Sequence, residues 1–158
     1  MKVVSNTTPI ISLASAGQII LLNKLFGEII IPEAVYHEIK AKMSYEYHEV
    51  DADFIKVQSI QDIHYKDILL NHLDAGEAET IVLASEVNAD IAIIDDNIGY
   101  QTAKNNGLHV IRTLSILQLA KEKGMIPGIK TILDAMIFKG RWYSKKTYEM
   151  FLKRVGEL

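Results

Sequence analysis

The 158-residue chain has no cysteine. That excludes disulfides, thiolate zinc sites and a cysteine nucleophile, and it fits a reducing cytoplasm. No apolar run reaches the ~18 residues of a membrane span. The N-terminus is not patterned as a signal peptide: one lysine precedes the apolar stretch, and Ser5, Asn6, Thr7 and Thr8 interrupt it. There is no GxxxxGKS/T or GxGxxG, so a nucleotide cradle has no support. No serine sits in GxSxG. The five histidines (His37, His48, His64, His72, His109) show no HxxxH or similar ligand spacing. No repeat, linker or low-complexity segment divides the chain, and its length suits one domain, residues 1–158.

Base is also scarce where acid is plentiful. Residues 61–100 carry nine acids against the single base Lys66, whereas 139–154 carry six bases against the single acid Glu149. The net charge of −3 does not advertise nucleic-acid binding for the molecule as a whole. The division does: an acid-rich middle suits cations, and a base-rich end suits phosphates. The plainer reading of any one of these charges is a solvated surface residue.

What is present is an alternation of short apolar strands and helical patterns. Predicted strands are Lys2–Ser5, Glu28–Ile31, Phe54–Val57, Ile91–Ile94 and His109–Ile111. Thr8 followed by Pro9 reads as an N-cap and first helical position, and Pro32 opens another helix to about Lys42. Residues 43–53 read as loop. Further helices are expected over Ile63–His72, Asp74–Val87, Asn97–Asn106, Thr113–Lys123, 128–138 and Ser144–Val155. The run "IAII" at 91–94 is what a parallel strand covered on both faces requires. The alternation predicts an α/β fold, a compact three-layer α/β/α arrangement with a mostly parallel sheet. Ligands gather at the carboxyl ends of such strands, so Asn6, Asp95 and Asp96 are the first residues to weigh.

Two like charges at Asp95 and Asp96 need a cation or donors, or one of them caps the next helix. Asp74 and Glu77 are spaced as a capping box. Glu77 shares a stripe with Ile81 and Ala84 and is expected to point inward; Glu79 shares one with Glu86 and is expected to face water. Glu38 lies on the otherwise apolar stripe Ala34, Val35, Ile39. It needs a partner, a lysine or a metal. In the C-terminal segment, Arg141, Trp142, Tyr143, Lys145 and Lys146 suit a phosphate track with base stacking. The bland alternative is a docking helix with Tyr148, Phe151, Leu152 and Val155 as its apolar face.

The stretches "SNTTPIISLA", "LFGEIIIPEAVYHEI", "LDAGEAETIVLA", "IAIIDDN" and "GLHVIRTLSILQLAKEKGMIP", in this order over about residues 2–135, resemble the PIN domain family. The closest resemblance is to its PIN-like branch of predicted nucleic-acid-binding proteins. The resemblance implies a cluster of acids that holds Mg²⁺ or Mn²⁺ and cleaves RNA or other single strands. Related proteins include toxins of toxin–antitoxin pairs, and many dimerise. It implies the first acid at Asn6, a hydroxyl at Thr8, and the second acid at Glu38. The third falls at Glu77 and the fourth at Asp95 or Asp96. Hard divalent ions want such oxygen ligands. Two departures stand out: Asn6 brings no charge, and Asn97, Ile98, Gly99 and Tyr100 stand where relatives often carry bases. The readings are therefore a metal-dependent ribonuclease with an antitoxin partner if it is a toxin, a catalytically weak module that binds nucleic acid or protein, or a small-molecule phosphatase.

Overall fold

The structure is a computed structural model, and it describes residues 1–42 and 49–158. Five short strands form one sheet: β1 (Val3–Ser5), β2 (Ile29–Pro32), β3 (Ile55–Gln58), β4 (Ile91–Ile93) and β5 (Val110–Ile111). Their order is β3-β2-β1-β4-β5, and every pairing is parallel. The sheet is thus wholly parallel rather than mostly so. Residues 43–48 of the expected 43–53 loop lie outside the described residues.

Among the described residues nine helices flank the sheet: α1 (Thr7–Ser15), α2 (Ile20–Phe26), α3 (Glu33–Lys40), α4 (Ile63–Leu69), α5 (Ala75–Glu86), α6 (Asn97–Asn105), α7 (Thr113–Glu122), α8 (Lys130–Phe138) and α9 (Lys145–Arg154). Strand residues alternate between two cores because successive side chains leave opposite faces. Val3, Ile29, Ile31 and Ile93 join α1, α2, α7, α8 and α9 in one core. Val4, Ala92, Ile94 and Val110 join α5 and α6 in the other. No single described helix is long and apolar enough to cross a membrane.

The chain leaves β1 toward β2 on one side and returns to β4 on the other, so the topological switch point lies between β1 and β4. Ser5 pairs with Ile93, and the Asn6 N–H donates to the Ile93 carbonyl at 3.0 Å. Asn6 therefore emerges beside Asp95 and Asp96 at the sheet's carboxyl edge, where α/β sheets bind ligands.

Three local expectations change. The N-cap of α1 is Asn6, so the helix begins before Thr8 and Pro9 falls inside its first turn. Proline needs no intrahelical acceptor there, so it is tolerated. Pro32 closes β2 and stands as N-cap of α3. Glu79 does not face water. It is buried, salt-bridged to Lys66 at 2.6 Å, and accepts the Ala34 N–H at 3.1 Å. The reason is that α5 has no wet face over its first turns: every residue from Gly76 to Ala84 is buried. Glu79 thereby caps α3, whose own N-cap proline has no side chain able to do so.

Candidate metal and nucleic-acid site

Asn6 is buried, and as an N-cap it would ordinarily bond a backbone N–H of the first turn. It makes no such bond. Its Oδ1 is buried with no hydrogen-bond partner among the described residues and lies 3.4 Å from where a β-carbon would stand on Gly76. Around that same point lie Glu38 Oε2 at 2.8 Å and Asp74 Oδ1 at 3.5 Å. Three oxygens from α1, α3 and α5 thus close on one spot that any side chain at residue 76 would fill. A β-carbon there would push on the Glu38 carboxylate, so glycine leaves these oxygens room to meet.

Glu38 is exposed along its length, but its carboxylate folds back to accept the Thr7 hydroxyl at 2.9 Å. The hydroxyl in the cluster is therefore that of buried Thr7. Thr8 instead lines a separate groove of about 420 Å³ with Ser12, Ser15 and Trp142.

Glu77 points inward, as the stripe with Ile81 and Ala84 predicts. The capping box is formed: Asp74 Oδ1 accepts the Glu77 N–H at 2.8 Å, and Glu77 Oε1 accepts the Asp74 N–H at 3.2 Å. Glu77 Oε2 is buried beside Asp96 and would stand 2.9 Å from a β-carbon on Gly99. Burial pushes the Glu77 carboxyl up to about 8, with the neighbouring Asp74 and Asp96 side chains adding to the rise. At neutral pH it holds a proton.

Asp95 and Asp96 divide their work. Asp96 is exposed and caps α6, accepting from the N–H groups of Ile98 and Gly99, both at 3.1 Å. Asp95 is buried with both oxygens bonded. The Thr113 N–H and hydroxyl donate at 2.8 Å each, and Arg141 donates at 3.1 Å. Asp95 fastens the C-terminal segment to the sheet through two bonds to Oδ2 and one to Oδ1, and Oδ1 keeps a further acceptor site.

The C-terminal basic segment also divides. Phe151 and Leu152 of α9 are buried, and Tyr148 and Val155 pack against the same core, so α9 is a docking helix. Lys145 and Lys146 stand on its exposed side, with Lys145 near Glu149 at 3.9 Å. Arg141 is committed to Asp95. Tyr143 is largely buried and the Arg141 guanidinium lies 4.4 Å from its ring, so that ring is not a free platform for a base. Burial pushes the Tyr143 hydroxyl up to about 12. Of the segment's two neighbouring aromatics, Trp142 is the one that projects, 76% exposed.

Sequence reasoning missed Thr7 and Arg112, and it read Asp74 only as a cap. Asp74 could have been suspected, since a cap at the carboxyl edge faces the cleft as well as the helix. Arg112 carried no signal, because its place depends on the pairing of β4 with β5. Its Nη1 donates to the Asp95 carbonyl at 3.1 Å and to Asn97 Oδ1 at 2.8 Å. It supplies a base beside the acid pair, where the sequence after Asp96 has none.

The donor set facing the cleft (Asn6, Glu38, Asp74, Glu77, Asp96) is all oxygen and suits a hard cation. The Asn6 amide oxygen among them has no partner among the described residues, and a buried unpaired acceptor is costly unless a ligand meets it. Among the described residues, no three carboxylates or imidazoles already converge as metal ligands. The tightest group contains two carboxylates and one amide.

A family model described as a PIN domain matches residues 2–157. No curated protein matches the chain significantly.

Proposed function

The chain belongs to the PIN domain family, and from that premise we propose that it is a metal-dependent ribonuclease acting on single-stranded RNA. The observation that carries this reading is the convergence of Asn6 Oδ1, buried and without a partner among the described residues, with Glu38 and Asp74, next to the buried Glu77 carboxyl at the switch point of the sheet. Glu38, Asp74, Glu77 and Asp96 would hold Mg²⁺ or Mn²⁺, with the Asn6 amide oxygen as a neutral ligand. A bound divalent ion supplies an activated water and charge neutralisation at the phosphate.

The protein's own residues prepare that site. Thr7 orients the Glu38 carboxylate through its hydroxyl. The capping box fixes Asp74 and Glu77 against each other. The proton on Glu77 relieves repulsion among the acids while no cation is present, and leaves when one enters. Gly76 and Gly99 keep the space beside Glu38 and Glu77 open. If the RNA cut is essential for growth, the chain acts as the toxin of a toxin–antitoxin pair, in the cytoplasm, with a small antitoxin as partner.

Calorimetry of Mn²⁺ with metal-stripped protein tests the reading, beside Asn6→Asp and Glu77→Gln. Native binding, tightened about tenfold by Asn6→Asp and abolished by Glu77→Gln, is expected, with Mn²⁺-dependent cleavage of RNA. Absence of binding in all three proteins sinks it. A second reading is favoured by the missing charge at Asn6 and the proton on Glu77: a binding module that does not cut. Its mark is Mn²⁺ binding seen only in Asn6→Asp.

A further inference from the structure

Beside the acids, the carboxyl ends of β4 and β5 and the approach to α9 enclose a cleft of about 500 Å³, in the size range of small-ligand sites. Its walls include Asp96, Arg112, Arg141, Trp142, Ser144 and Thr147. Both arginines are held in place before any ligand arrives. Arg112 is anchored at the Asp95 carbonyl and Asn97, and its guanidinium carbon lies 4.2 Å from the Tyr100 ring centroid. Arg141 is anchored at Asp95 and rests on Tyr143.

Each arginine keeps donors that nothing takes. Arg141 Nε is buried without an acceptor. The bonds of Arg112 use only Nη1, so Nε and Nη2 have no acceptor among the described residues. Arg112 and Arg141 match Asp95 and Asp96 in number, so an anion is favoured here by the free donors of Arg112 and not by net charge. Asp95 is paired with Arg141 and accepts from Thr113, and Asp96, still charged, accepts from two α6 N–H groups. The amino ends of α6 and α9 both open on the cleft, adding their positive dipole ends. The cation left without a carboxylate partner in the cleft is Arg112. On the rim stands Trp142, the one tryptophan of the chain.

We propose that this cleft is a phosphate subsite for one nucleotide of a single-stranded RNA. Arg112 binds the phosphate through its free fork, and Trp142 stacks the base. The proposal rests on the reading that the neighbouring acids face RNA. It adds a metal-independent hold that sets the strand's register against them. A fork already fixed by Asn97 and Tyr100 loses little freedom on binding, and charge-assisted bonds to phosphate are strong. Base stacking on an exposed aromatic tolerates any sequence.

The test is titration of the full chain with a six-nucleotide uridine RNA in EDTA, read by the fluorescence of Trp142. Saturable quenching is expected. Arg112→Gln should weaken binding about tenfold and flatten the dependence of log K on log salt by about 0.7. Arg112→Lys keeps the charge but not the fork, and should weaken it about threefold; it also reports if Arg112→Gln fails to fold, as melting would show. Lys24→Gln removes the same charge from the far end of α2 and should bind like the native protein. Equal affinities of Arg112→Gln and Lys24→Gln overturn the subsite while leaving RNA binding intact. No quenching by the native protein overturns it too. Quenching that depends on Arg112, without any Mn²⁺-dependent cleavage, supports the subsite and removes the nuclease reading instead.

Discussion

Glu77 sits buried between Asp74 and Asp96, and its carboxyl titrates near 8 instead of near the usual 4.5. The sign follows from linkage. Below pH 4.5 both folded and unfolded chains hold the proton. Between 4.5 and 8 only the folded chain holds it, so stability falls as pH rises through that window, by at most ~1.4 kcal/mol per pH unit. Above 8 the loss is complete. In EDTA, Glu77→Gln should therefore raise Tm at pH 7.5 by roughly 2–8 °C, for about 1–2 kcal/mol, and leave it unchanged at pH 4.5. Thermal melts at the two pH values check this, and an equal effect at both would refute the shifted proton. The inward direction of Glu77 was legible in the sequence, because Ile81 and Ala84 share its stripe. Its proton was not legible, since that depends on Asp96 arriving from another strand. Asn6 was legible as a strand-end residue, while its idle side chain shows only in three dimensions.

At the scale of elements, caps come from far away. The α8 helix begins at Ile129 with no side-chain cap of its own. Glu157 supplies it, accepting the N–H groups of Ile129 and Lys130 near 2.9 Å and pairing with Lys121 at 2.8 Å. Burial works to raise the Glu157 pKa, but Lys121 and the two backbone donors outweigh it and hold it at about 2. Its contribution is present above pH 4.5 and fades as pH falls toward 2. Glu157→Gln should cost about 1 kcal/mol at pH 7 and nothing near pH 2, as urea melts would show. A constant difference across that range would remove the charge from the account. Such caps explain what periodicity misread. Glu79 and Glu86 share a stripe, but it faces the amino ends of α3 and α4 rather than water. Glu79 takes the Ala34 N–H, and Glu86 takes those of Gln61 and Asp62. The strands were easier: "IAII" and the valines of β1 are apolar on both faces because helices cover both, so composition alone identified them. That one aspartate of the pair caps α6 was readable, and Asp96 does; the partners of Asp95 were not, because Thr113 and Arg141 reach it only after β5 and the C-terminal segment have docked.

At the scale of the molecule, the parallel order of the sheet brings the acid-rich middle and the base-rich end of the chain to one edge. Asn6, Asp74, Glu77 and Asp96 meet there beside Arg112, Arg141 and Trp142. The acids of the cluster repel one another, so a cation should stabilise the whole fold by mass action. The size of that gain must depend on pH, because the proton on Glu77 has to leave before its oxygen can ligate. With Mg²⁺ at 100 times its Kd at pH 8.5, linkage gives about 2.7 kcal/mol, or roughly 5–10 °C in Tm. At pH 6.5 and the same Mg²⁺ concentration, one displaced proton lowers the affinity about 30-fold, and the gain shrinks to about 0.9 kcal/mol. Melts with and without Mg²⁺ at both pH values measure this directly. A gain that is the same at pH 6.5 and 8.5 would mean that the cation does not displace the Glu77 proton. Loss of the gain at both pH values in Glu77→Gln and in Glu38→Gln alike would tie the stability of the domain to this cluster of oxygens.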